Sequence, residues 1–311
     1  MRRDRPSRKS DVLYSRDVEM KPPPFDYFAA DCVDAAVQAL VDASGDGKII
    51  AGGQSLLPML NFRLLRPSVL VDINRIPDLS YVRDDGDEVR IGPLTRHHTL
   101  ETSSLVAAQF PVLHEAMSYV AHLAIRNRGT IGGSLSHADP AAELPMMSLL
   151  LDARLELQSS SRRRTIEASD FFLGALTTAL EDNEMLVEVR LPKLPERAGW
   201  AFEEVARRSG DFALACVAVI LNSDGDRISN IRIGMTGIGE TPMRATDAEN
   251  LLAGQLYSDT TVAAAVEAIR AAVEPNTDLH ASAEYRRHLV GVLAHRAIVK
   301  AWDRSKEAAR D

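Results

Sequence analysis

Two pairs of adjacent glycines, each with hydroxyl-bearing neighbours, are the residues of this 311-residue chain best suited to binding chemistry. The first pair lies in Ala51-Gly52-Gly53-Gln54-Ser55-Leu56, after the apolar run Lys48-Ile49-Ile50 and before a helix-like segment. The second lies in Thr130-Ile131-Gly132-Gly133-Ser134, after a polar turn carrying Arg126 and Arg128. Adjacent glycines permit positive φ, so consecutive N–H groups can turn into one concavity. Such a nest holds phosphate oxygens, and the missing Cβ atoms let a phosphate approach the backbone. Ser55, Thr130 and Ser134 can add hydroxyl donors. Two nests could grip the two phosphates of a dinucleotide from opposite sides, although a single glycine pair is more often a tight turn. Neither segment matches Gly-x-Gly-x-x-Gly or Gly-x-x-x-x-Gly-Lys-Ser/Thr, which disfavours a Rossmann or P-loop site.

Other groupings carry less. Ser134, His137 and Asp139 have the residue types of a hydrolase triad, but three members within six residues of one loop rarely converge on one reacting atom. His137 is read as ordering the loop before Pro140, with direct ligand contact as the alternative. Arg126 and Arg128 either help to neutralise a pyrophosphate or are solvated turn residues. Arg207-Arg208-Ser209-Gly210-Asp211 reads as a hairpin with Gly210 at the turn. The eight histidines include one adjacent pair, His97-His98, and no His-Glu-x-x-His spacing, so a metal site is not expected. Cys32 and Cys216 are too few for an iron–sulfur cluster, which takes four ligands, and both read as buried core thiols.

The elements that must position these residues follow from periodicity. Residues 1–19 are polar and aperiodic, a flexible tail that ends at Met20. Helices are expected over Asp31–Ala43, from Leu56 to Leu65, from Thr95 as cap to Ser103, and over Pro111–Leu123 with proline in the first turn. Ala141–Leu151 reads as an apolar helix, with strands at Lys48–Ile50, Val69–Ile73, Val89–Ile91, Arg154–Gln158 and Met185–Leu191. Pro192 and Pro195 bracket a linker. Beyond it come three strands (Trp200–Val205, Phe212–Leu221, Ile228–Ile238) and three helices (Thr246–Leu252, Thr260–Val273, Ser282–Ala301), the pattern of an α+β unit. The last helix places Tyr285, Leu289, Val292 and Leu293 on one face, with Arg286, Arg287 and Arg296 elsewhere. The net charge of −8 disfavours nucleic acid. No apolar run approaches the roughly 20 residues of a membrane span, and no signal-peptide core follows the basic start, so a cytoplasmic protein is expected.

Four blocks, in order, carry a resemblance. They are Ala51-Gly52-Gly53-Gln54-Ser55-Leu56 through Leu70-Val71-Asp72-Ile73-Asn74; Arg126 through Ser134 followed by His137-Ala138-Asp139-Pro140-Ala141-Ala142-Glu143-Leu144-Pro145; Gly199-Trp200 through Ala213; and Asp278 through Arg287. Over residues 21–305 the chain resembles the medium, FAD-binding subunit of the molybdenum hydroxylases, the group with carbon monoxide dehydrogenase and xanthine dehydrogenase.

The resemblance implies an α+β architecture: a two-lobed FAD-binding domain of the vanillyl-alcohol-oxidase type over 21–195, with lobes of about 21–78 and 79–195. A smaller α+β C-terminal domain of antiparallel sheet plus helices would follow over 196–311. It implies that Ala51, Gly52, Gly53, Gln54, Ser55 and Leu56, with Thr130, Ile131, Gly132, Gly133 and Ser134, hold the FAD pyrophosphate. His137, Asp139 and Glu143 belong to the implied cofactor site, Glu143 accepting from sugar-like hydroxyls, and Leu186 packs near the flavin or adenine. Arg207 and Asp211 belong to a loop over the isoalloxazine. Iron–sulfur clusters and the molybdenum cofactor would sit on a small and a large partner subunit, in a dimer of heterotrimers that passes electrons through FAD to a quinone or NAD. The iron–sulfur insertion of the benzoyl-CoA reductase branch has no counterpart here. Glu203 stands where the xanthine dehydrogenase side has a lysine, which leaves NAD-related roles open. A stand-alone FAD oxidase or dehydrogenase of the same fold, and a flavin-containing scaffold subunit, are the alternatives.

Overall fold

The computed structural model describes residues 21–308, so the expected tail lies outside the described residues. The chain opens with β1 (Asp26–Ala29), α1 (Val33–Asp42), β2 (Gly47–Ile50), α2 (Leu56–Asn61) and β3 (Val69–Asp72). Strand β3 lies between β1 and β2 and pairs with both in parallel. Parallel neighbours need crossover connections, which the two helices supply. Ala36, Val37 and Leu40 of α1 share a buried cluster with Val71, Ile73 and, from much later in the chain, Met185 and Val187.

A second layer follows: β4 (Val82–Asp85), β5 (Glu88–Ile91), α3 (His97–Thr102), α4 (Ser104–Gln109), α5 (Pro111–Met117), α6 (Leu123–Arg126), α7 (Ile131–His137) and α8 (Glu143–Leu150). It continues with β6 (Arg154–Gln158), β7 (Arg163–Glu167), α9 (Ala168–Phe171), β8 (Phe172–Gly174), β9 (Thr177–Thr178) and β10 (Met185–Pro192). The sheet order is β4-β5-β10-β6-β7, antiparallel throughout. Strand alternation puts Val89, Ile91, Leu155, Leu157, Val189 and Leu191 into the core. The other face carries Glu88, Glu156 and Glu188, ion-paired with Arg90, Arg154 and Arg190.

The last part holds β11 (Gly199–Ala206), β12 (Ala213–Asp224), β13 (Arg227–Thr236), β14 (Met243–Arg244), α10 (Thr246–Leu252), α11 (Asp259–Ala272) and α12 (Ala283–Ala308). Its four strands form one antiparallel sheet in sequence order. Strand β12 is buried on both faces, which explains its unbroken apolar run. Cys216, Ala218 and Ile220 join the core of the second layer, whereas Val217, Val219 and Leu221 pack with the C-terminal helices.

Several expectations are corrected. Thr95 caps no helix, because its hydroxyl accepts from Tyr81 N–H and donates to Tyr81 O, and α3 starts two residues later. The expected helix from Pro111 to Leu123 ends at Met117, and a left-handed residue, Ala121 (φ 46°), separates it from α6. Cys32 is exposed ahead of α1, and only Cys216 of the two is a core thiol. In α12, Arg286 faces inward and Tyr285 outward. The Arg286 guanidinium donates to Leu214 O, Gly237 O and the Asp278 carboxylate, which makes its burial tolerable.

The contact between β11 and α12 leaves no room at Gly199, where a Cβ would stand 1.9 Å from Ala301 O and 2.5 Å from Ser305 N. Gly199→Ala is expected to lose about 1–3 kcal/mol by forcing the helix off the sheet. Urea unfolding checks this, and an unchanged midpoint would contradict the packing.

Candidate functional site

A cavity of about 860 Å³ opens where the parallel sheet meets the second layer, within the size range of cofactor pockets. Of the residues expected at a binding site, Ala51, Gly52, Gly53, Gln54, Ser55, Leu56, Thr130, Gly132, Gly133, Ser134, His137, Asp139, Glu143, Leu186 and Asp211 line it. Ile131 and Arg207 do not. Ile131 is packed in the core behind the cavity wall. Arg207 is exposed, with its guanidinium 2.7 Å from His280 Nδ1.

The two glycine segments are built differently. In the first, Gly53 has φ 72°, and a Cβ on Gly52 would stand 2.3 Å from the Arg128 carbonyl oxygen. Gly52 therefore lets one segment lie against the backbone of the other, and Gly53 supplies the left-handed turn. Among the described residues, nothing accepts from the main-chain N–H groups of Gly52, Gly53, Gln54 or Ser55. Four consecutive amide donors at a cavity wall are able to hold an anion without any charged side chain.

The second segment is not a loop but the first turn of α7, and neither of its glycines has positive φ. Its N–H groups are already bonded: Ile131 to Thr95 O, Gly132 to Pro93 O, and Gly133 to Thr130 Oγ1. Gly132 allows close packing, since a Cβ there would stand 2.6 Å from Pro93 Cβ. What this segment offers a ligand is the hydroxyls of Thr130 and Ser134 and the half-buried, Cβ-free Gly133. The expectation of two equivalent nests is corrected to one nest facing a hydroxyl-bearing wall.

Residues 23–194 match the family model described as the FAD binding domain in molybdopterin dehydrogenase, and residues 200–301 match the CO dehydrogenase flavoprotein C-terminal domain. The chain is 44% identical to the 6-hydroxypseudooxynicotine dehydrogenase complex subunit alpha of Paenarthrobacter nicotinovorans, over 92% of this chain and 97% of that one. It is 40% identical to the carbon monoxide dehydrogenase medium chain of Hydrogenophaga pseudoflava, over 92% and 99%. The solved quinoline 2-oxidoreductase of Pseudomonas putida 86 superposes with a TM-score of 0.87 at 38% identity, covering 93% and 99%. The chain belongs to the FAD-binding medium subunits of the molybdenum hydroxylases.

FAD is the cofactor of this flavoprotein family, and the residues present fit a dinucleotide: free amide donors, a cradle without Cβ atoms, and apolar lining residues that include Leu186. Sequence reasoning missed part of that lining. Leu176, Thr177 and Thr178 reach it from the β8–β9 hairpin, held by a bond from Leu176 N–H to Ala138 O. Such short strands have no periodicity to read. It also missed His97, which lines the cavity with both ring nitrogens buried and unpartnered. Burial pushes its imidazole down to about 4, so it is neutral at physiological pH.

Arg126 takes neither role expected of it. Its guanidinium pairs with Glu101 at 2.9 Å and donates to Val120 O and Ala121 O, so it holds the backbone around α6. Asp139 accepts from Ala141 N–H and so shapes the turn before α8. Glu143 is buried, and desolvation first, with Asp139 nearby, pushes its carboxyl up to about 7. At neutral pH it is divided between acid and carboxylate, and can donate as well as accept. Glu204 behind it is pushed up to about 8, by burial and then by Glu143.

Two predictions follow from this geometry. Gly52→Ala is expected to destabilise the chain by about 1–3 kcal/mol and to weaken FAD binding at least about tenfold, read by flavin content and fluorescence titration. Unchanged affinity would show that the two segments need not touch. For Glu143, the folded protein holds a proton that the unfolded chain releases near pH 4.5, so its contribution to stability is full below that value and lost as pH rises through 7. In flavin-free protein, Glu143→Gln should therefore gain Tm relative to the parent between pH 5 and pH 8. A constant difference would contradict a raised pKa.

Proposed function

We propose that this chain is the electron-transfer subunit of a cytoplasmic molybdenum hydroxylase complex, carrying electrons from iron–sulfur clusters on a small partner subunit through FAD to an external quinone or NAD. A large partner subunit would hold the molybdenum cofactor, in a dimer of heterotrimers. Membership in a family of medium subunits supports this reading. The four free amide groups of Gly52–Ser55 are the observation that carries the cofactor placement.

In this assignment, the pyrophosphate lies on the Gly52–Ser55 amides, with the hydroxyls of Thr130 and Ser134 opposite. Glu143 meets the sugar-like hydroxyls, and Leu186 forms part of the apolar wall. Asp211, beside Gly210 and the exposed Phe212, stands at the cavity mouth. The bound cofactor supplies the redox chemistry; the chain supplies binding, orientation and exclusion of water. Residues 21–195 are assigned to the FAD unit and 196–311 to the C-terminal unit.

The test is to purify the native complex and then remove its flavin. About one FAD per copy of this chain is expected, with iron and molybdenum on other subunits after separation. Dithionite should still reduce the clusters of the flavin-free complex, while electron delivery to ubiquinone analogues or NAD stops. Delivery that continues at the original rate without flavin, or turnover by the separated chain alone, would overturn the proposal.

A further inference from the structure

Behind the cavity, four segments are joined by one run of hydrogen bonds. Asn74 Nδ2–H donates to Ala51 O at 2.8 Å, and Asn74 Oδ1 accepts from an Arg96 amino group at 2.9 Å. The other amino group of Arg96 donates to Arg128 O. Ala51 O lies directly before the amide row, and Arg128 O is the atom against which Gly52 packs. Asp72 sets the Asn74 amide by accepting from its main-chain N–H (2.8 Å) and from Nδ2 (2.7 Å), and the Tyr27 hydroxyl donates to Asp72 in turn. The Arg96 main chain also bridges to Thr130. Neither Asn74 nor Arg96 lines the cavity.

We propose that Asn74 and Arg96 are positioning residues for FAD, bracing the two phosphate-facing segments in their binding geometry before the cofactor arrives. The inference rests on the assignment of those segments to the pyrophosphate. A trans peptide is planar, with its C=O and N–H on opposite sides. Tying Ala51 O to Asn74 therefore fixes the direction of the Gly52 N–H. Tying Arg128 O to Arg96 holds the surface on which Gly52 rests. A segment with two adjacent glycines has much conformational freedom to lose, and a brace removes that loss from the binding step. The planar fork of arginine is suited to two acceptors in different directions, whereas lysine offers a single ammonium.

The full-length chain, stripped of flavin, tests this by FAD titration together with amide hydrogen exchange over residues 51–56. Asn74→Ala and Arg96→Gln should each weaken FAD binding about tenfold, and Arg96→Lys should not restore it. The double variant should bind little worse than the weaker single one, because either change opens the same run. At saturating FAD, the protection that the cofactor confers on Gly53–Ser55 should be weaker in the variants than in the parent, a change that a general loss of stability would spread across the chain. Tyr27→Phe, at an exposed position and the outer end of the run, should weaken binding only about two- to threefold; it gives a readable case if the inner variants fold poorly. Wild-type affinity in Asn74→Ala and Arg96→Gln, with Gly52→Ala still impaired, would overturn the brace alone. Wild-type affinity in Gly52→Ala as well would remove the pyrophosphate assignment on which the brace rests.

Discussion

The site depends on one close approach: the backbone of Gly52 lying against the carbonyl of Arg128. These residues belong to different layers, one at the end of β2 and the other in the turn before α7. Any Cβ at Gly52 would drive them apart. With the contact made, the left-handed Gly53 turns the chain so that four amide groups remain without protein acceptors beside the Thr130 and Ser134 hydroxyls. The sheet that carries β2 is held to the second layer by Met185 and Val187 of β10, which join the cluster around α1. Core packing at that join thus sets the distance across which a dinucleotide must reach.

The electrostatic character of the cavity follows from the same arrangement. No ammonium or guanidinium has to enter the wall where two phosphate charges would sit, because amide dipoles can serve that purpose in a low-dielectric site. Arg126, which a simple charge argument would place on the phosphates, is consumed by Glu101 and two carbonyls. Burial raises both Glu143, on the cavity lining, and Glu204 behind it towards neutrality.

Much of this was legible in the sequence where periodicity or glycine spacing was strong. The strands around β12 were readable because their apolar patterns are long. The two segments at the cavity were found from their glycine pairs and flanks, whereas Glu143, Leu186 and Asp211 came only with the family resemblance. Hydrogen-bond use was not legible. Gly132-Gly133 looks like Gly52-Gly53 in one dimension, yet its amides are spent on Thr95, Pro93 and Thr130, partners fixed only by the fold. Thr95 looked like a helix cap because its hydroxyl could serve locally, but the main chain of Tyr81 takes it. His97, Leu176 and the Asn74–Arg96 pair carry no local signature, since their significance lies in contacts across 22 or more residues.

Amide hydrogen exchange with and without FAD tests the central claim most directly. On the proposed placement, one glycine segment would donate its backbone to the cofactor, whereas the other has already committed its backbone to the protein. Adding FAD should slow exchange at Gly52, Gly53, Gln54 and Ser55, while Ile131, Gly132 and Gly133 are protected from the outset and change little. New protection at Ile131–Gly133 with none at Gly52–Ser55 would contradict this account of the site.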